Sequence, residues 1–400
     1  MDGLTATEAA ARLGVKRQTI YAYVSRGLLP RRVGPDGRTS LFEPDDLDRL
    51  RRGTKDDDGE LRTLIATALT RVDDDGLAIR GRPLVDLVAD GLDLTGAADL
   101  LWDAPPDESW VDAGETTAAA VPAMPGVDGL DELRLITALC SAGDPLRHEL
   151  APKSVRAVGR RLMVAMANGL GPRADGVADA SVSAPAAALW ARLADDGATH
   201  DRDPHRPPPA RLRALDAAMA LLVDHGLAGS TFAARVAASV RADPYAVVGA
   251  GLGVLSGPLH GAASSEVHDL LADAQRRGDA AAALGDVRRR LGRFPGVGHS
   301  VYRTQDPRYG TLMALIVDAW GDDPRLVHVY RVRDLMSERT DALPNVDLAL
   351  GALTWLADMP AHAGEVIFAI ARTAGWLGHA MEEYGEPPLR FRVRARYVGP

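Results

Sequence analysis

The sequence GVGHSVYRTQDPR, residues 296–308, places a histidine and two arginines on a stretch that is broken by glycine and proline. His299 lies in a glycine-rich turn, and backbone of this kind allows a ligand to approach closely. Arg303 and Arg308 follow in the same stretch, and guanidinium groups bind carboxylates and phosphates through paired hydrogen bonds. The stretch therefore predicts a loop that binds an anionic ligand.

The composition of the whole chain favours a mainly helical protein. The chain has 400 residues, which is enough for about two or three folding units with an ordinary core. Only 5% of the residues are aromatic, and the apolar residues recur mostly at helical spacing with few alternating β-branched runs. We therefore predict a globular, multidomain, mainly α protein.

Cysteine use and the N-terminal residues indicate the cell compartment. Cys140 is the one cysteine, so no disulfide can form within the chain and a cysteine-rich metal site is excluded. The N-terminus carries neither a basic nor an apolar signal region, and no stretch approaches about 18 uninterrupted apolar residues. We expect a cytoplasmic protein that is neither secreted nor inserted into a membrane.

Charge divides the chain into two parts. Residues 1–55 carry eleven Lys and Arg against seven Asp and Glu, a net charge of +4, which leaves −13 for residues 56–400 of a chain whose total is −9. Such asymmetry indicates two units with different partners. The charged run at residues 51–60 contains no apolar residue, so we place a first unit at 1–53 and a linker at 54–60.

The first unit carries the signals of a helix-turn-helix. Thr5 and Glu8 form a predicted capping box, and Gly14 ends that helix. A second helix is predicted from about Arg17 to Ser25, after the glycine turn. Residues 31–42 contain a GPDG turn between two short extended runs, which predicts a hairpin, and a closing helix is expected after it.

Residues 4–52 resemble the winged helix-turn-helix of the MerR and excisionase type. The resemblance implies that the second helix enters the major groove of DNA and that the hairpin, the wing, contacts phosphate. The side chains that suit these contacts are Arg17, Gln18, Arg31, Arg32 and Arg38. The alternative is a module that packs against the rest of the chain or pairs subunits without binding DNA.

Four further stretches combine backbone breakers with ionisable residues. They are DHGLAGSTF at 224–232, SGPLHGAA at 256–263, NVD at 345–347 and ARTAGW at 371–376. Taken alone, a histidine such as His225 is more often a satisfied core residue than a ligand. An aspartate before an apolar helix, such as Asp347, is by default a helix cap.

His260 carries a more specific prediction. It follows a Gly-Pro break and precedes a helical stretch, so it is expected at or near a helix N-terminus. There the helix dipole disfavours the charged ring and leaves a neutral imidazole, which can donate a hydrogen bond to an enolising carbonyl.

Together and in this order, the five stretches resemble citrate synthase. The resemblance covers most of residues 61–400 and includes RGRPLVDL at 80–87 and a terminal YVGP. It implies a two-domain helical fold, with a large domain built from residues 61–255 and 346–400 and a small domain of residues 256–345.

The resemblance implies three catalytic residues. Asp347 would be the base that removes the thioester methyl proton, and His260 would stabilise the resulting enol. His299 would polarise the carbonyl of oxaloacetate. A base and a donor must act together here, because a thioester methyl group is a very weak acid.

The resemblance also implies a set of ligand-binding residues. One histidine and three arginines would bind oxaloacetate, and one further arginine would meet a phosphate of CoA. The oxaloacetate set is His225, Arg308, Arg372 and Arg392, with Arg392 reaching across a homodimer, and the CoA residue is Arg303. Guanidinium groups suit the two carboxylates of oxaloacetate better than lysine does.

The implied reaction is that of an acyltransferase. Acetyl-CoA would condense with oxaloacetate, and citryl-CoA would be hydrolysed to citrate and CoA, with the CoA thioester as co-substrate and without a metal or a bound cofactor. Two alternatives stay open. One is a 2-methylcitrate synthase that uses propionyl-CoA, and the other is a DNA-binding regulator whose citrate-synthase fold senses oxaloacetate or acyl-CoA.

Two departures from the family pattern bear on these alternatives. Residues 261–265 read GAASS where many relatives have GGANE, and RVR at residues 392–394 stands where Arg-Pro-Arg is usual. Neither departure removes a catalytic group. A shifted substrate preference, a slower enzyme and a drift towards regulation are all compatible with them.

Overall fold

The computed structural model describes residues 3–25, 29–34, 39–44, 46–47, 65–74, 76–106, 108–110, 129–170, 183–194, 207–257, 260–391, 397 and 399. The chain divides into two compact units, Met1–Ala66 and Thr67–Pro400. Some predictions fall outside the described residues. They concern Arg38, the end of the closing helix, the linker at 54–60, and Arg392.

The first unit contains a helix-turn-helix and a small antiparallel sheet. Its elements are α1 (Ala6–Leu13), α2 (Arg17–Ser25), β1 (Leu4–Thr5), β2 (Arg32–Val33) and β3 (Ser40–Phe42), with the strands in the order β1-β3-β2. The Thr5 side chain accepts from the Glu8 amide and the Glu8 side chain accepts from the Thr5 amide, which confirms the predicted capping box. Strands β2 and β3 form the predicted hairpin. Strand β1 was not predicted, because two residues are too few to show a periodic pattern.

The described residues of the second unit are mainly helical, as predicted. The helices are α3 (Leu84–Ala89), α4 (Leu94–Trp102), α5 (Gly129–Gly143), α6 (Pro152–Gly169), α7 (Ala184–Leu193), α8 (Pro209–Leu222), α9 (Gly229–Ser239), α10 (Pro244–Leu255), α11 (Ala263–Arg277), α12 (Ala280–Leu291), α13 (Pro307–Trp320), α14 (Leu326–Ser337), α15 (Val346–Leu356) and α16 (Ala363–Gly385). Aspartates cap the helices α10, α12 and α13 by accepting from first-turn amides; they are Asp243, Asp279 and Asp306.

A small sheet precedes these helices and was not predicted. Strands β4 (Thr70–Asp73), β5 (Gly76–Ile79) and β6 (Arg82–Pro83) pair antiparallel in sequence order. Arg80 and Gly81 turn the chain between β5 and β6 with φ angles of 50° and 76°. The RGRPLVDL stretch therefore forms a tight turn followed by the start of α3.

Helix α16 lies at the centre of the second unit. It packs against α4, α6, α8, α9 and α10, and its Trp376 is fully buried. A Cβ atom on Gly251 of α10 would lie 2.5 Å from the Trp376 ring, so only glycine permits the two helices to approach this closely. Burial on several faces makes α16 a rigid support for the side chains that it carries.

Helices α11, α12 and α14 pack on one another, and α11 also packs against α15. All three lie within residues 256–345, which the sequence assigns to a small domain. The boundaries of the large and small domains stay a prediction. In the part of the chain that the structure describes, no helix has the length and apolar character needed to cross a membrane.

Candidate active site

A cavity of about 620 Å³ in the second unit gathers most of the predicted catalytic and substrate-binding residues. Six of them contribute to its lining: His225, His260, His299, Arg308, Asp347 and Arg372. They come from five separate parts of the chain, so the fold brings together side chains that are far apart in the sequence. Thr67, Thr70 and Val72, at and before β4, also line the cavity.

One wall of the cavity, which we call the loop wall, consists of residues 296–308 and 345–347. Asn345 joins the two segments, because its amide donates to the Gly296 carbonyl at 3.0 Å and its Nδ2 donates to the Gly298 carbonyl at 2.7 Å. Gly296 and Gly298 have φ angles of 73° and 82°, a region that favours glycine. The glycine-rich turn is thus held next to the start of α15.

Asp306 holds Arg308 in the loop wall with two hydrogen bonds. Nε and Nη2 of Arg308 donate to Oδ1 and Oδ2 of Asp306 at 3.0 and 2.8 Å, and Arg308 is only 4% exposed. Oδ2 of Asp306 also accepts from the Val346 amide at 3.0 Å, which ties α13 to α15. Within the described residues, this pairing leaves Nη1 of Arg308 for an anion in the cavity.

Asp347 lies in the first turn of α15 and lines the cavity. The cap of this helix is Asn345, whose side chain accepts from the Asp347 amide at 3.0 Å, so the interpretation of Asp347 as the cap is wrong. Burial raises the pKa of Asp347 to about 6, although Arg308 acts in the opposite direction. A carboxylate with this pKa suits a general base near neutral pH.

His299 presents a defined ring nitrogen to the cavity. Its Nδ1 accepts from the backbone amides of Val301 and Tyr302 at 3.0 and 3.2 Å. Burial, followed by the charge of Arg308, lowers the pKa of His299. A neutral ring whose Nδ1 accepts must carry its proton on Nε2, so His299 can donate a hydrogen bond from that atom.

His225 lies beside His299 in the connection between α8 and α9. The two ring centroids are 4.9 Å apart, and Nε2 of His225 lies 3.0 Å from the hydroxyl oxygen of Tyr302. Burial, followed by the charges of Arg308 and Arg372, lowers the pKa of His225. The cavity therefore contains a second neutral imidazole.

His260 lies three residues before the start of α11, close to the predicted helix N-terminus. Its Nε2 is 2.9 Å from Oγ of Ser230, and Ser230 is fully buried. Burial is the main cause of a lowered pKa at His260, to which Arg372 also contributes. Ser230 thus fixes the orientation of a neutral imidazole on the cavity lining.

A second wall, which we call the helix wall, consists of residues 222–230 and 368–379. Arg372 on α16 donates from Nε to the Leu222 carbonyl at 2.9 Å, and its guanidinium carbon lies 4.4 Å from the Phe368 ring centroid. It is only 1% exposed, and burial lowers its pKa to about 10. A buried guanidinium of this kind gains from a carboxylate ligand, which replaces lost hydration.

Other predicted site residues lie elsewhere or outside the described residues. Arg303 is exposed and is not part of the cavity lining, and Arg392 is outside the described residues. In the first unit, Arg17, Gln18, Arg31 and Arg32 are exposed, and Arg32 forms an ion pair of 2.9 Å with Glu43. No group of three or more His, Cys, Asp and Glu suited to a metal ion occurs among the described residues.

The sequence predicts no role for four residues of the site geometry: Ser230, Tyr302, Asp306 and Asn345. Asp306 and Asn345 carry a local signal, because each is a favoured cap residue just before a helix. Ser230 carries none, because its partner His260 lies 30 residues away in the chain. The Tyr302 ring centroid lies 4.5 Å from that of the nearby His299, but its hydrogen-bond partner His225 is 77 residues away.

Comparison with known families agrees with both resemblances. A sequence model described as "Citrate synthase, C-terminal domain" matches residues 61–394, and one described as "Helix-turn-helix domain" matches residues 4–55. The first match covers the five stretches that carry the citrate synthase resemblance, and the second covers the predicted winged helix-turn-helix at 4–52.

Several curated relatives are about one-third identical to the chain. A "Putative citrate synthase 2" from Mycobacterium tuberculosis is 35% identical over 200 residues, which cover 48% of this chain and 53% of the relative. A "Citrate synthase" from Haloferax volcanii is 34% identical over 189 residues, covering 46% and 50%. A "2-methylcitrate synthase 1" from Corynebacterium glutamicum is 31% identical over 191 residues, covering 47% and 50%. The chain thus spans about half the length of the curated relatives it matches.

Solved structures share the fold. The citrate synthase of Thermoplasma acidophilum, in a ternary complex with carboxymethyl coenzyme A and oxaloacetate, matches with a TM-score of 0.68 and 21% identity over 87% of this chain and 96% of that chain. The citrate synthase of Pyrobaculum aerophilum has a TM-score of 0.68 and 22% identity over 93% and 95%. The similarity in fold therefore covers nearly the whole length of these structures.

Proposed function

Since the citrate synthase model matches residues 61–394, the chain belongs to the citrate synthase family, and we propose that it condenses an acyl-CoA thioester with oxaloacetate. The observation that carries this proposal is the cavity, in which the three predicted catalytic side chains lie with two buried arginines. The reaction is an acyl transfer in which the acyl group becomes an alkyl group.

Oxaloacetate would bind between the two walls. Its two carboxylates require cationic donors, and Arg308 and Arg372 both line the cavity. His225 would add a neutral donor. Arg392 from a second subunit would supply a third guanidinium. Paired guanidinium bonds fix the orientation of the ligand as well as its affinity.

Enolisation would then use Asp347 and His260 together. Asp347 removes a proton from the methyl carbon beside the thioester carbonyl, and His260 donates a hydrogen bond to the carbonyl oxygen as negative charge develops there. The raised pKa of Asp347 and the lowered pKa of His260 support this assignment. At neutral pH the base is ionised while the imidazole is neutral.

Condensation would follow at the 2-oxo carbon of oxaloacetate. The enolate carbon forms a bond to that carbon, and the former carbonyl oxygen takes the proton on Nε2 of His299 and becomes a hydroxyl group. The thioester carbonyl re-forms in the same step. The proton that Asp347 removed from the methyl group then returns His299 to its neutral form through solvent, which leaves Asp347 ionised again. Water then hydrolyses the thioester bond, releasing CoA as a thiol together with the new carboxylate.

The acyl group is acetyl in our main proposal and propionyl in the second. The second is retained because a 2-methylcitrate synthase, 31% identical, is among the relatives. The difference between the two substrates is one methylene, worth about 1 to 3 kcal/mol in a fitted pocket. The ratio of kcat/KM for the two thioesters therefore has to be measured.

The experiment follows CoA release from acetyl-CoA and from propionyl-CoA in the presence of oxaloacetate. Asp347→Ala should abolish turnover because it removes the base. Asp318→Ala, which removes an exposed carboxylate from α13, should leave turnover unchanged. An absence of turnover with both thioesters in the unmodified protein would contradict the enzyme proposal and favour a regulator.

We also propose a homodimer in which Arg392 serves the neighbouring site. Leu139 on α5, Val236 on α9 and Val254 on α10 are exposed apolar side chains, and these helices pack in series. Mixing subunits that carry Asp347→Ala with subunits that carry Arg392→Ala should restore turnover that neither variant has alone. Mixed dimers without activity would contradict the shared site.

The first unit supports a second function, binding of duplex DNA. Its helix-turn-helix match and its exposed residues at the start of α2 are the observations that favour it. A fluorescent pool of random duplexes should bind the full chain with an affinity that falls linearly with salt on logarithmic axes. Arg17→Ala should weaken this binding, whereas Arg290→Ala on α12 should not. If the logarithm of the affinity does not change with the logarithm of the salt concentration, phosphate contacts are excluded.

The two functions can be separated with one variant. Asp347→Ala should lose turnover but keep its affinity for oxaloacetate and for DNA, because the base contributes to the chemical step. If DNA affinity changes when oxaloacetate is added, the regulator alternative gains support.

A further inference from the structure

A buried arginine outside the cavity, Arg235, contacts three side chains, and each of these contacts a further segment of the chain. Arg235 lies in α9, does not line the cavity and is 1% exposed. Its guanidinium donates to His379, Glu382 and Glu383, which all lie on α16. Each of these residues contacts a different part of the chain, and two of these parts contain residues that line the ligand cavity.

The first branch leads to the loop that carries His225. Nη1 of Arg235 donates to Nδ1 of His379 at 2.9 Å, and because a guanidinium only donates, Nδ1 must accept. The ring proton then lies on Nε2, which is 3.4 Å from Oδ2 of Asp224. The same Oδ2 accepts from the Gly226 amide at 3.1 Å. Asp224 therefore fixes the backbone at Gly226, the residue that follows His225.

Asp224 also connects this branch to the helix wall. It is fully buried, and although burial opposes ionisation, the neighbouring His379 and Arg372 hold its pKa below the ordinary value. Its negative charge therefore stabilises the buried guanidinium of Arg372, which lines the cavity.

The second branch leads to the segment before β4. Glu382 accepts from Nη1 of Arg235 at 2.8 Å and from the Ala68 amide at 2.8 Å. Ala68 lies between Thr67 and Thr70, which line the cavity. Glu382 thus ties one edge of the cavity to α16.

The third branch leads towards the C-terminus. Glu383 is fully buried and accepts from Nε of Arg235 at 3.1 Å. Its two oxygens also accept from Nε and Nη2 of Arg390 at 2.7 and 2.6 Å. Arg390 precedes Arg392 by two residues, and the neighbouring Leu389 amide donates to the Ser239 carbonyl at 2.9 Å. Leu389 and Arg390, described residues shortly before Arg392, are therefore fixed to α9 and α16.

We propose that Arg235 is a positioning residue for the 2-oxo dicarboxylate. Through His379 and Glu382 it sets two segments that line its own cavity, and through Glu383 it sets the residues before Arg392, which would serve the cavity of the neighbouring subunit. This inference rests on the proposed function. Buried charges in one connected group depend on each other, because a charge that loses its partner is left without compensation. A change in any branch therefore displaces a ligand-binding segment although no ligand contact is removed.

Kinetics of variants in two branches test the proposal. Arg390→Gln, at a side chain that is 27% exposed, and His379→Phe, which keeps a ring, should each raise the oxaloacetate KM by about tenfold or more. The KM for the acyl-CoA should change less than twofold. Arg390→Lys should restore part of the oxaloacetate affinity, since it keeps one charged donor.

Arg241→Gln is the matched control. Arg241 donates to the backbone carbonyls of Glu383 and Glu386 at the end of α16, so its loss weakens the same region without breaking a branch. The control should lower the thermal midpoint and leave both KM values unchanged. If all three variants lower the midpoint to a similar extent and none raises the oxaloacetate KM, Arg235 has only a structural role.

Hydrogen exchange of the full chain without ligand separates this proposal from the proposed function. His379→Phe should speed exchange at the Gly226 amide, and Arg390→Gln should speed exchange at the Leu389 amide. If the unmodified protein does not bind oxaloacetate but both amides respond, the function fails and the positioning group stands. Unchanged exchange at both amides would overturn the positioning group itself.

Discussion

The two walls of the cavity hold their arginines by different means. In the loop wall, Arg308 is paired with Asp306, two residues away, and the same carboxylate caps α13. In the helix wall, Arg372 donates to a carbonyl that is 150 residues away, and its main charged support, Asp224, contacts His379. Short-range capping therefore builds one wall, and packing of distant helices builds the other.

The pKa values of the two guanidinium groups are shifted in opposite directions. Arg308 already has a carboxylate partner, which outweighs burial and raises its pKa. Burial dominates at Arg372 and lowers its pKa to about 10. A ligand carboxylate should therefore stabilise the helix wall more than the loop wall.

The largest effect is expected from breaking the pair in the loop wall. Asp306→Asn keeps a cap but leaves the buried charge of Arg308 uncompensated, which should lower the free energy of unfolding by about 3 to 5 kcal/mol. The measurement is urea-induced unfolding. Asp279→Asn, at the exposed cap of α12, should cost less than about 0.5 kcal/mol. Similar losses in both variants would show that the cap matters and the ion pair does not.

The next effect tests the packing of the helix wall. A Cβ atom on Gly375 would lie 2.4 Å from the Val223 carbonyl oxygen and 2.6 Å from Oδ1 of Asp224. Gly375→Ala should therefore push α16 away from this segment and cost about 1 to 3 kcal/mol, with a raised oxaloacetate KM.

Gly378→Ala on the same helix is the control for this change. Its Cβ would meet Leu101 and Leu69 at 3.5 Å, which is ordinary contact. Alanine favours helix over glycine by up to about 1 kcal/mol, so this variant should be neutral or stabilising. If Gly375→Ala also leaves the free energy of unfolding unchanged or raises it, the helix wall can accommodate an added methyl group without loss of stability.

The sequence predicts the loop wall better than the helix wall for the same physical reason. Glycine turns, a Pro after a cap residue and an Asn before an apolar helix act over a few residues, so the motif around His299 and the helix start near Asp347 can be read locally. The histidines and arginines of both walls were found through the family resemblance. The carboxylates and hydroxyls that support them were assigned no role.

The supporting residues of the helix wall could not be found by local reading. His379 and Glu383 lie in an apolar helix, where the sequence pattern gives them no special position. Their function depends on Arg235, which is 144 residues from His379. The small sheet at residues 70–83 was missed for a related reason, since its strands are too short to show a period against the helical pattern.

The pH dependence of kcat/KM tests whether Asp347, in the loop wall, acts as the general base. Asp347 must be ionised to remove a proton, and burial raises its pKa to about 6, so kcat/KM should be constant above that pH and fall about tenfold per unit below it. The pKa values of His260 and His299 are lowered, so both rings stay neutral on the plateau. If kcat/KM instead falls only below a pH of about 4, Asp347 is not desolvated in the free protein.

The same shift has a consequence for stability. A carboxyl group whose pKa is higher in the folded than in the unfolded state favours folding when protonated, so ionisation costs stability as the pH rises from about 4 to about 6. Asp347→Asn should therefore raise the thermal midpoint at pH 7.5 and leave it unchanged at pH 4. An equal shift at both pH values would point to a cause other than ionisation.

The smallest effect separates capping from site assembly in the loop wall. Asn345→Ala removes the cap of α15 and the bond from Nδ2 to the Gly298 carbonyl, whereas Asp243→Ala removes only the cap of α10. Each variant should lose about 1 kcal/mol of unfolding free energy. Only Asn345→Ala should also lower kcat, because His299 and Asp347 lie on the two segments that Asn345 joins. If kcat is unchanged, the glycine turn keeps its place through the backbone alone, and the loop wall is more robust than the helix wall.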